Sequence, residues 1–166
     1  MLEQKSILHS IALHCIAILF VILNVSNVKI EGISSVIPLF DLMMIFYFAV
    51  FLNVFGIWFI FLLGIWNDAL NGNPLGTTAL CYILLVKMFN FLNRRMVIKE
   101  NFKQLWEQFV VFIFLFLMMK WAILSVFHGA FYNITNSLVQ LILSSVVYAV
   151  MHKFFDYLSQ KLLEDE

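Results

Sequence analysis

The sequence has few charged residues. Asp, Glu, Lys and Arg make up 12% of its 166 residues, against about 25% in an average soluble domain. Hydrophobic residues make up 63%, and the mean hydropathy is +0.97. So few charges could not cover that much apolar surface in water, which argues against a soluble globular domain. A lipid bilayer supplies the apolar solvent that such a chain needs. We therefore expect an all-α integral membrane protein.

The sequence also lacks the patterns that usually carry chemistry. Its two cysteines, Cys15 and Cys81, lie far apart in apolar runs, so they indicate buried packing and not a disulfide framework. The four histidines form no ligand set, and no H-E-x-x-H, G-x-S-x-G or Walker motif is present. Net charge is zero, and no arginine-rich run with interleaved aromatics suggests nucleic-acid binding. We expect no catalytic, cofactor or metal site, and hence no enzyme.

Apolar segments separated by short polar stretches predict the number of helices. The run from residue 33 to residue 70 is nearly continuous. As one helix it would be about 57 Å long, whereas the hydrocarbon core is about 30 Å thick. The run must therefore fold back, and Asn53 is the polar residue near its middle. We expect one transmembrane domain, residues 1–166, built as a bundle of six transmembrane helices at about residues 7–23, 33–52, 54–70, 75–92, 105–127 and 137–155.

Basic residues predict the orientation of the bundle, because cytoplasmic loops are enriched in Lys and Arg. With six spans, the side that holds both termini carries Lys5, Lys87, Arg94, Arg95, Lys99, Lys103, Lys153 and Lys161. The other side carries Lys29 alone. This distribution predicts a multi-pass protein of the bacterial inner membrane with both termini in the cytoplasm.

Small residues mark the third span and the turn that follows it. Gly56, Ile60, Gly64 and Asp68 recur every four residues, so they share one helical face. Small residues on such a face let another helix approach closely. That helix could belong to this chain or to a partner subunit, and the sequence leaves both readings open. The following turn contains Gly72, Pro74 and Gly76.

Two charges lie inside predicted spans. Asp41 and Lys120 are both about 11 Å from the outer ends of their spans by helical rise. Because a lone charge at that depth is costly, we hypothesise an intramembrane ion pair between Lys120 and Asp41, or alternatively Asp68. The other reading is that Lys120 extends to the interface with its ammonium in water.

The basic loop after the fourth span forms a third candidate site. Arg94, Arg95, Lys99 and Lys103 lie within residues 93–104, on the predicted cytoplasmic side. Such a loop sets topology and contacts anionic membrane lipids, or it docks a cytoplasmic partner.

The third span carries a family resemblance. The stretch from Gly64 to Gly76, with Asp68, Gly72 and Pro74 between them, resembles the G-x-x-x-D-x-x-x-G-x-P-L-G motif of the bacterial rod shape-determining protein MreD family. Pro38 at the start of the second span and the basic loop match that family as well. Where the family often has an acid or amide directly after that proline, this chain has Leu39, with Asp41 further on.

The resemblance implies a non-catalytic scaffold subunit of the cell-wall elongation machinery. Such a subunit would bind an MreC-like membrane protein and, through it, MreB-like, RodA-like and penicillin-binding proteins. It would thereby help to position peptidoglycan synthases that determine cell shape. The family's helical arrangement is similar to the substrate-binding subunits of vitamin transporters. The alternative function is therefore a vitamin-like small-molecule binding subunit, with a cavity lined by polar groups such as Asp68, Asn71, Asn73 or Asp41.

Overall fold

The computed structural model describes residues 2–25, 37–93, 102–129 and 134–163, and these parts of the chain are helical without any strand. There are six α-helices in the described ranges, and the second continues without a break as a π-helical segment, Phe46–Phe51. The α-helices are α1 (Leu2–Val25), α2 (Phe40–Ile45), α3 (Ile57–Asn71), α4 (Thr77–Asn93), α5 (Phe102–His128) and α6 (Ile134–Leu163). The all-α class expected from the composition is therefore confirmed.

The second helix forms the centre of the bundle. Every residue from Asp41 to Val50 is buried, and α1, α4 and α6 pack around α2 and its π-helical continuation. A helix that is apolar on all sides requires such a position, because no face of it is suited to water. This placement explains why the stretch shows no amphipathic pattern.

The helices differ in length. Two helices are long and apolar enough to cross a membrane, over Phe102–Phe127 and Thr135–Lys161. Helix α1 has 24 residues, with an apolar stretch over Ser10–Asn24. The apolar helices between α1 and α5 are shorter, and the central one, Phe40–Phe51, has a rise of only about 18 Å. The helix Phe40–Phe51 is thus shorter than the predicted second span, residues 33–52.

The long apolar run folds back around Asn53. The π-helical segment ends at Phe51 and α3 begins at Ile57. Asn53 adopts a left-handed conformation (φ 54°), which Asn tolerates better than most residues. The side chain of Asn90 on α4 donates hydrogen bonds to Asn53 Oδ1 and to the carbonyl of Ala49, both at 3.3 Å. The polar residue in the apolar run therefore lies at the break.

Aromatic rings fill the space between the central helix and its neighbours. The ring of Phe46 lies 5.3–6.4 Å, centroid to centroid, from the rings of Phe89, Phe109, Phe112 and Tyr148. All four pairs are edge-to-face or tilted, which aromatic quadrupoles favour. The aromatic residues of α4, α5 and α6 thus bind the bundle together around α2.

Candidate functional site

Helices α3 and α4 form a tight antiparallel hairpin, and Gly64 lies at their contact. A Cβ added to Gly64 would lie 2.3 Å from Ala79 Cα and 2.6 Å from Ala79 N. Real Cβ atoms do not approach backbone atoms so closely. Gly64 is therefore required for the distance between these two helix backbones.

Asp68 joins the end of α3 to the start of α4. Its carboxylate accepts hydrogen bonds from the backbone N–H of Gly76 at 3.0 Å and of Thr78 at 2.9 and 3.1 Å. The first N–H groups of a helix have no partner within the helix, and a carboxylate there also interacts favourably with the helix dipole. Asp68 therefore acts as the N-terminal cap of α4 from the preceding helix.

The turn between the two helices depends on its glycines. Gly72 ends α3 in the left-handed region (φ 67°), the usual conformation of a residue that terminates a helix. Gly76 also has a positive φ of 97°. The N–H of Thr77 donates to the carbonyl of Pro74 at 3.2 Å, so that Gly76 occupies the third position of a four-residue turn, where type II turns need glycine.

The predicted small-residue face is partly internal. Ile60, Gly64 and Asp68 are buried. Gly56 precedes α3, is exposed, and has open space where a Cβ would stand. The outward side of α3 instead carries large apolar side chains, among them Trp58 and Trp66. In this structure the small residues of α3 serve the contact with α4.

A buried polar cluster surrounds Asp41 at the start of α2. The carboxylate accepts hydrogen bonds from the side-chain amides of Asn24 and Asn67, from the Tyr82 hydroxyl and from the backbone N–H of Leu42, the last at 2.8 Å. Asp41 is only 2% exposed. Four donors to one buried carboxylate satisfy its hydrogen-bonding capacity. The cluster ties α2 to α1, α3 and α4.

A polar cavity of about 130 Å³ adjoins this cluster. Its lining comes from α1, α2, α3, α5 and α6 and from the segment before α2: Asn24, Ile37, Leu39, Asp41, Asn67, Asn71, Phe116, Lys120 and Gln140. Six of these nine side chains are polar. The cavity is therefore the place where polar groups from most of the bundle converge.

The hypothesised partners Asp41 and Lys120 line this cavity together. Among the described residues, however, no ion pair joins Lys120 to Asp41 or to Asp68. The Lys120 Nζ lies 5.7 Å from the centroid of the Phe116 ring, within the range of a cation–π contact. Asp41 and Lys120 thus share one cavity without direct contact. The Asp68 carboxylate instead accepts hydrogen bonds from backbone N–H groups at the start of α4.

The predicted basic loop is described only at its end. Arg94, Arg95 and Lys99 lie outside the described residues. Lys103 belongs to the first turn of α5 and not to a loop, and its exposed ammonium lies 3.9 Å from the Glu107 carboxylate. The boundary of the loop is therefore earlier than the sequence predicted.

The cysteines differ in environment. Cys81 is buried, as expected, but Cys15 is exposed on the surface of α1. The prediction that both are buried was therefore wrong for Cys15. In the described part of the chain, no group of three or more His, Cys, Asp or Glu side chains is arranged to hold a metal ion.

Sequence reasoning missed Asn24, Asn67 and Tyr82 as partners of Asp41, and Gln140 as part of the cavity lining. A signal for them exists in the sequence. Asn24, Asn67 and Gln140 are isolated polar residues near helix ends that an antiparallel bundle places at the same level. Their convergence could be recognised only after the order of the helices around α2 was known.

Comparison with known proteins identifies the family of the chain. The family model described as rod shape-determining protein MreD matches residues 4–162. No curated protein and no solved structure matches the chain.

Proposed function

The chain belongs to the rod shape-determining protein MreD family, and from this membership we propose that it is a membrane scaffold subunit of the bacterial cell-wall elongation complex. In this role it binds an MreC-like membrane protein in the inner membrane and helps to position peptidoglycan synthases. MreB-like, RodA-like and penicillin-binding proteins are contacted indirectly, through the MreC-like partner. The observation that carries the proposal is the family match across nearly the whole chain.

The outer surface of the bundle supports a membrane location. Large apolar side chains are exposed on several helices, including Trp58 at 78%, Val126 at 85% and Val150 at 72%. On a soluble protein an apolar surface of this extent would promote aggregation. In a membrane it contacts lipid or a partner helix.

We propose that all six helices lie in the membrane, with both termini in the cytoplasm. The long helices, α1, α5 and α6, set the thickness of the domain, and the shorter helices are accommodated by packing within the bundle and by local thinning of the bilayer. This orientation places the Gly72–Gly76 turn and the polar cavity toward the periplasm. It also places the start of α5, with Lys103, toward the cytoplasm.

The alternative, a vitamin-like binding subunit, receives less support from the cavities. The polar cavity of about 130 Å³ is smaller than typical small-molecule pockets of about 300–1,000 Å³. A larger groove of about 570 Å³ lies between α1 and α3, but its lining is almost entirely apolar. Such a groove lacks the placed polar groups that recognise a vitamin.

Depletion and complementation in a rod-shaped bacterium test the proposal. Cells depleted of the native protein should become round, and the tagged chain should restore rods and co-purify with MreC-like and RodA-like proteins from solubilised membranes. An untagged chain serves as the control for recovery. Unchanged rods after depletion, together with recovery of transporter ATPase subunits or a bound vitamin, would favour the alternative.

Two glycine variants provide a matched pair for this experiment. Gly64→Leu should reduce the amount of folded chain and therefore its complementation, because the side chain collides with the α4 backbone. Gly56→Leu introduces the same side chain into open space and should leave folding intact. If Gly56→Leu folds normally but loses the MreC-like protein, the start of α3 is part of the partner surface.

A further inference from the structure

The polar cavity lies toward one end of the bundle. Asn24 is in the last turn of α1, Asp41 is in the first turn of α2, and Asn71 is the last residue of α3. Lys120 lies eight residues before the end of α5 and Gln140 six residues after the start of α6, or about 12 and 9 Å by helical rise. In the proposed orientation this is the periplasmic end.

The negative charge in the cavity is already satisfied. The Asp41 carboxylate receives four hydrogen bonds. Two of the donors, Asn24 and Asn67, also line the cavity. A ligand in the cavity would therefore meet amide groups beside the carboxylate, and Asp41 has no need of a further donor.

The positive charge in the cavity, the Lys120 ammonium, has no comparable set of hydrogen-bond partners among the described residues. The Lys120 ammonium has three N–H donors and no acceptor of its own. The ammonium contacts the Phe116 ring, and the Asp41 and Asp68 carboxylates attract it from a distance, but in the described part of the chain no carboxylate lies close enough to form an ion pair with it. A charged group within the hydrocarbon region is costly unless acceptors are provided.

A second donor group in the cavity lining is the Gln140 side chain. It donates one hydrogen bond to the carbonyl of Ile37 at 3.1 Å, and because an amide nitrogen carries two hydrogens, it retains donor capacity. Asn71 also lines the cavity, but it donates to the Asn67 side chain at 2.6 Å and to the Asn67 carbonyl at 2.9 Å, so both of its amide hydrogens are used. Lys120 and Gln140 therefore provide donors from two helices, α5 and α6.

From this arrangement we propose that the cavity binds a small oxyanion group, of the phosphate type, through the Lys120 ammonium with help from the Gln140 amide. The cavity volume of about 130 Å³ leaves room for a group of the size of a phosphate. The group can come from a phospholipid or from free phosphate.

Lipid binding measured by native mass spectrometry distinguishes these sources. The full chain, purified in detergent, is titrated with phosphatidylglycerol, with diacylglycerol of the same acyl chains, and separately with inorganic phosphate. Preferential binding of phosphatidylglycerol over diacylglycerol identifies a lipid phosphate. Binding of inorganic phosphate without a preference between the lipids identifies free phosphate. Binding of neither phosphate source overturns the proposal.

Variants of Lys120 connect the binding to the cavity. Lys120→Gln should weaken binding about tenfold or more, since charge-assisted hydrogen bonds are lost. Lys120→Arg should retain most of it, because a guanidinium also binds phosphate. Lys103→Gln, an exposed lysine at the other end of α5, is the matched control and should not change binding.

A second variant covers the case in which Lys120→Gln does not fold. Gln140→Ala keeps the charge and should reduce phosphate binding several-fold, while the loss of its hydrogen bond to the Ile37 carbonyl should lower the thermal midpoint by only a few degrees. Equal phosphate affinity of wild type and the folded cavity variants would place any bound phosphate elsewhere and refute the assignment. These outcomes do not depend on the role in cell shape, which the depletion experiment tests separately.

Discussion

Substitution of Gly64 gives the sharpest test of the α3–α4 hairpin. In Gly64→Ala the new methyl group would lie 2.3, 2.6 and 2.8 Å from Ala79 Cα, N and Cβ. Two of these three atoms belong to the backbone of α4, so no side-chain rotation can relieve the contact. The helices must move apart, which also strains the hydrogen bonds of Asp68 at the start of α4.

The expected loss of stability follows from overpacking. Inserting extra methyl groups into a packed core typically costs about 1–3 kcal/mol. For a chain of this size that corresponds to a fall of roughly 2–12 °C in the unfolding midpoint. We expect Gly64→Ala to lie in the upper half of this range, because the obstacle is backbone.

Thermal unfolding of the purified chain in detergent, followed by circular dichroism, measures this effect without any partner present. Gly56→Ala is the matched control, since Gly56 has a negative φ of −69° and open space around its Cβ position. Its midpoint should stay near the wild-type value. The double variant Gly64→Ala/Ala79→Gly should recover little stability, because Ala79 Cα and N remain in place.

The reasoning would be refuted by a Gly64→Ala chain as stable as the Gly56→Ala control. That result would mean that α3 and α4 are further apart than the structure shows. The small residue at position 64 would then have to be explained by a partner helix. A loss of stability in the isolated chain would instead assign Gly64 to internal packing.

Two further substitutions test the polar contacts. Asp68→Ala removes the carboxylate that caps α4 and should lower the stability by about 1–2 kcal/mol, measured by the same thermal unfolding. Asp68→Asn keeps an acceptor oxygen and should lower it less. Equal losses for the two variants would contradict the capping role. Tyr82→Phe removes one of the four donors to Asp41 and should lower the stability by about 0.5–1.5 kcal/mol. A double-mutant cycle compares Tyr82→Phe and Asp41→Asn with the variant that carries both substitutions. Additive effects in that cycle would show that the two side chains do not interact.

Much of the architecture could be predicted from composition and hydropathy. The low charge and high apolar content indicate helices in a membrane, since only helices satisfy their backbone groups within one segment there. The length of the run from residue 33 to residue 70 requires a break, and Asn53 lies at that break with a left-handed backbone. These inferences use only local properties of the chain.

The family motif was recognisable from the sequence, but its physical meaning was not. Spacing placed Gly64 and Asp68 on one helical face, and that face could equally have met a partner. The structure shows that Gly64 contacts Ala79 and that Asp68 accepts hydrogen bonds from Gly76 and Thr78. Which backbone approaches a glycine depends on helix packing, and residue spacing carries no information about that.

The sequence by itself determined that the chain is all-α and to which family it belongs. Only the tertiary structure decided which helix lies at the centre and which polar residues meet. Asp41, Asn24, Asn67 and Tyr82 come from four separate helices, and no local pattern links them. The physical reason is that helix formation depends on neighbours along the chain, whereas a buried polar cluster depends on how distant segments pack.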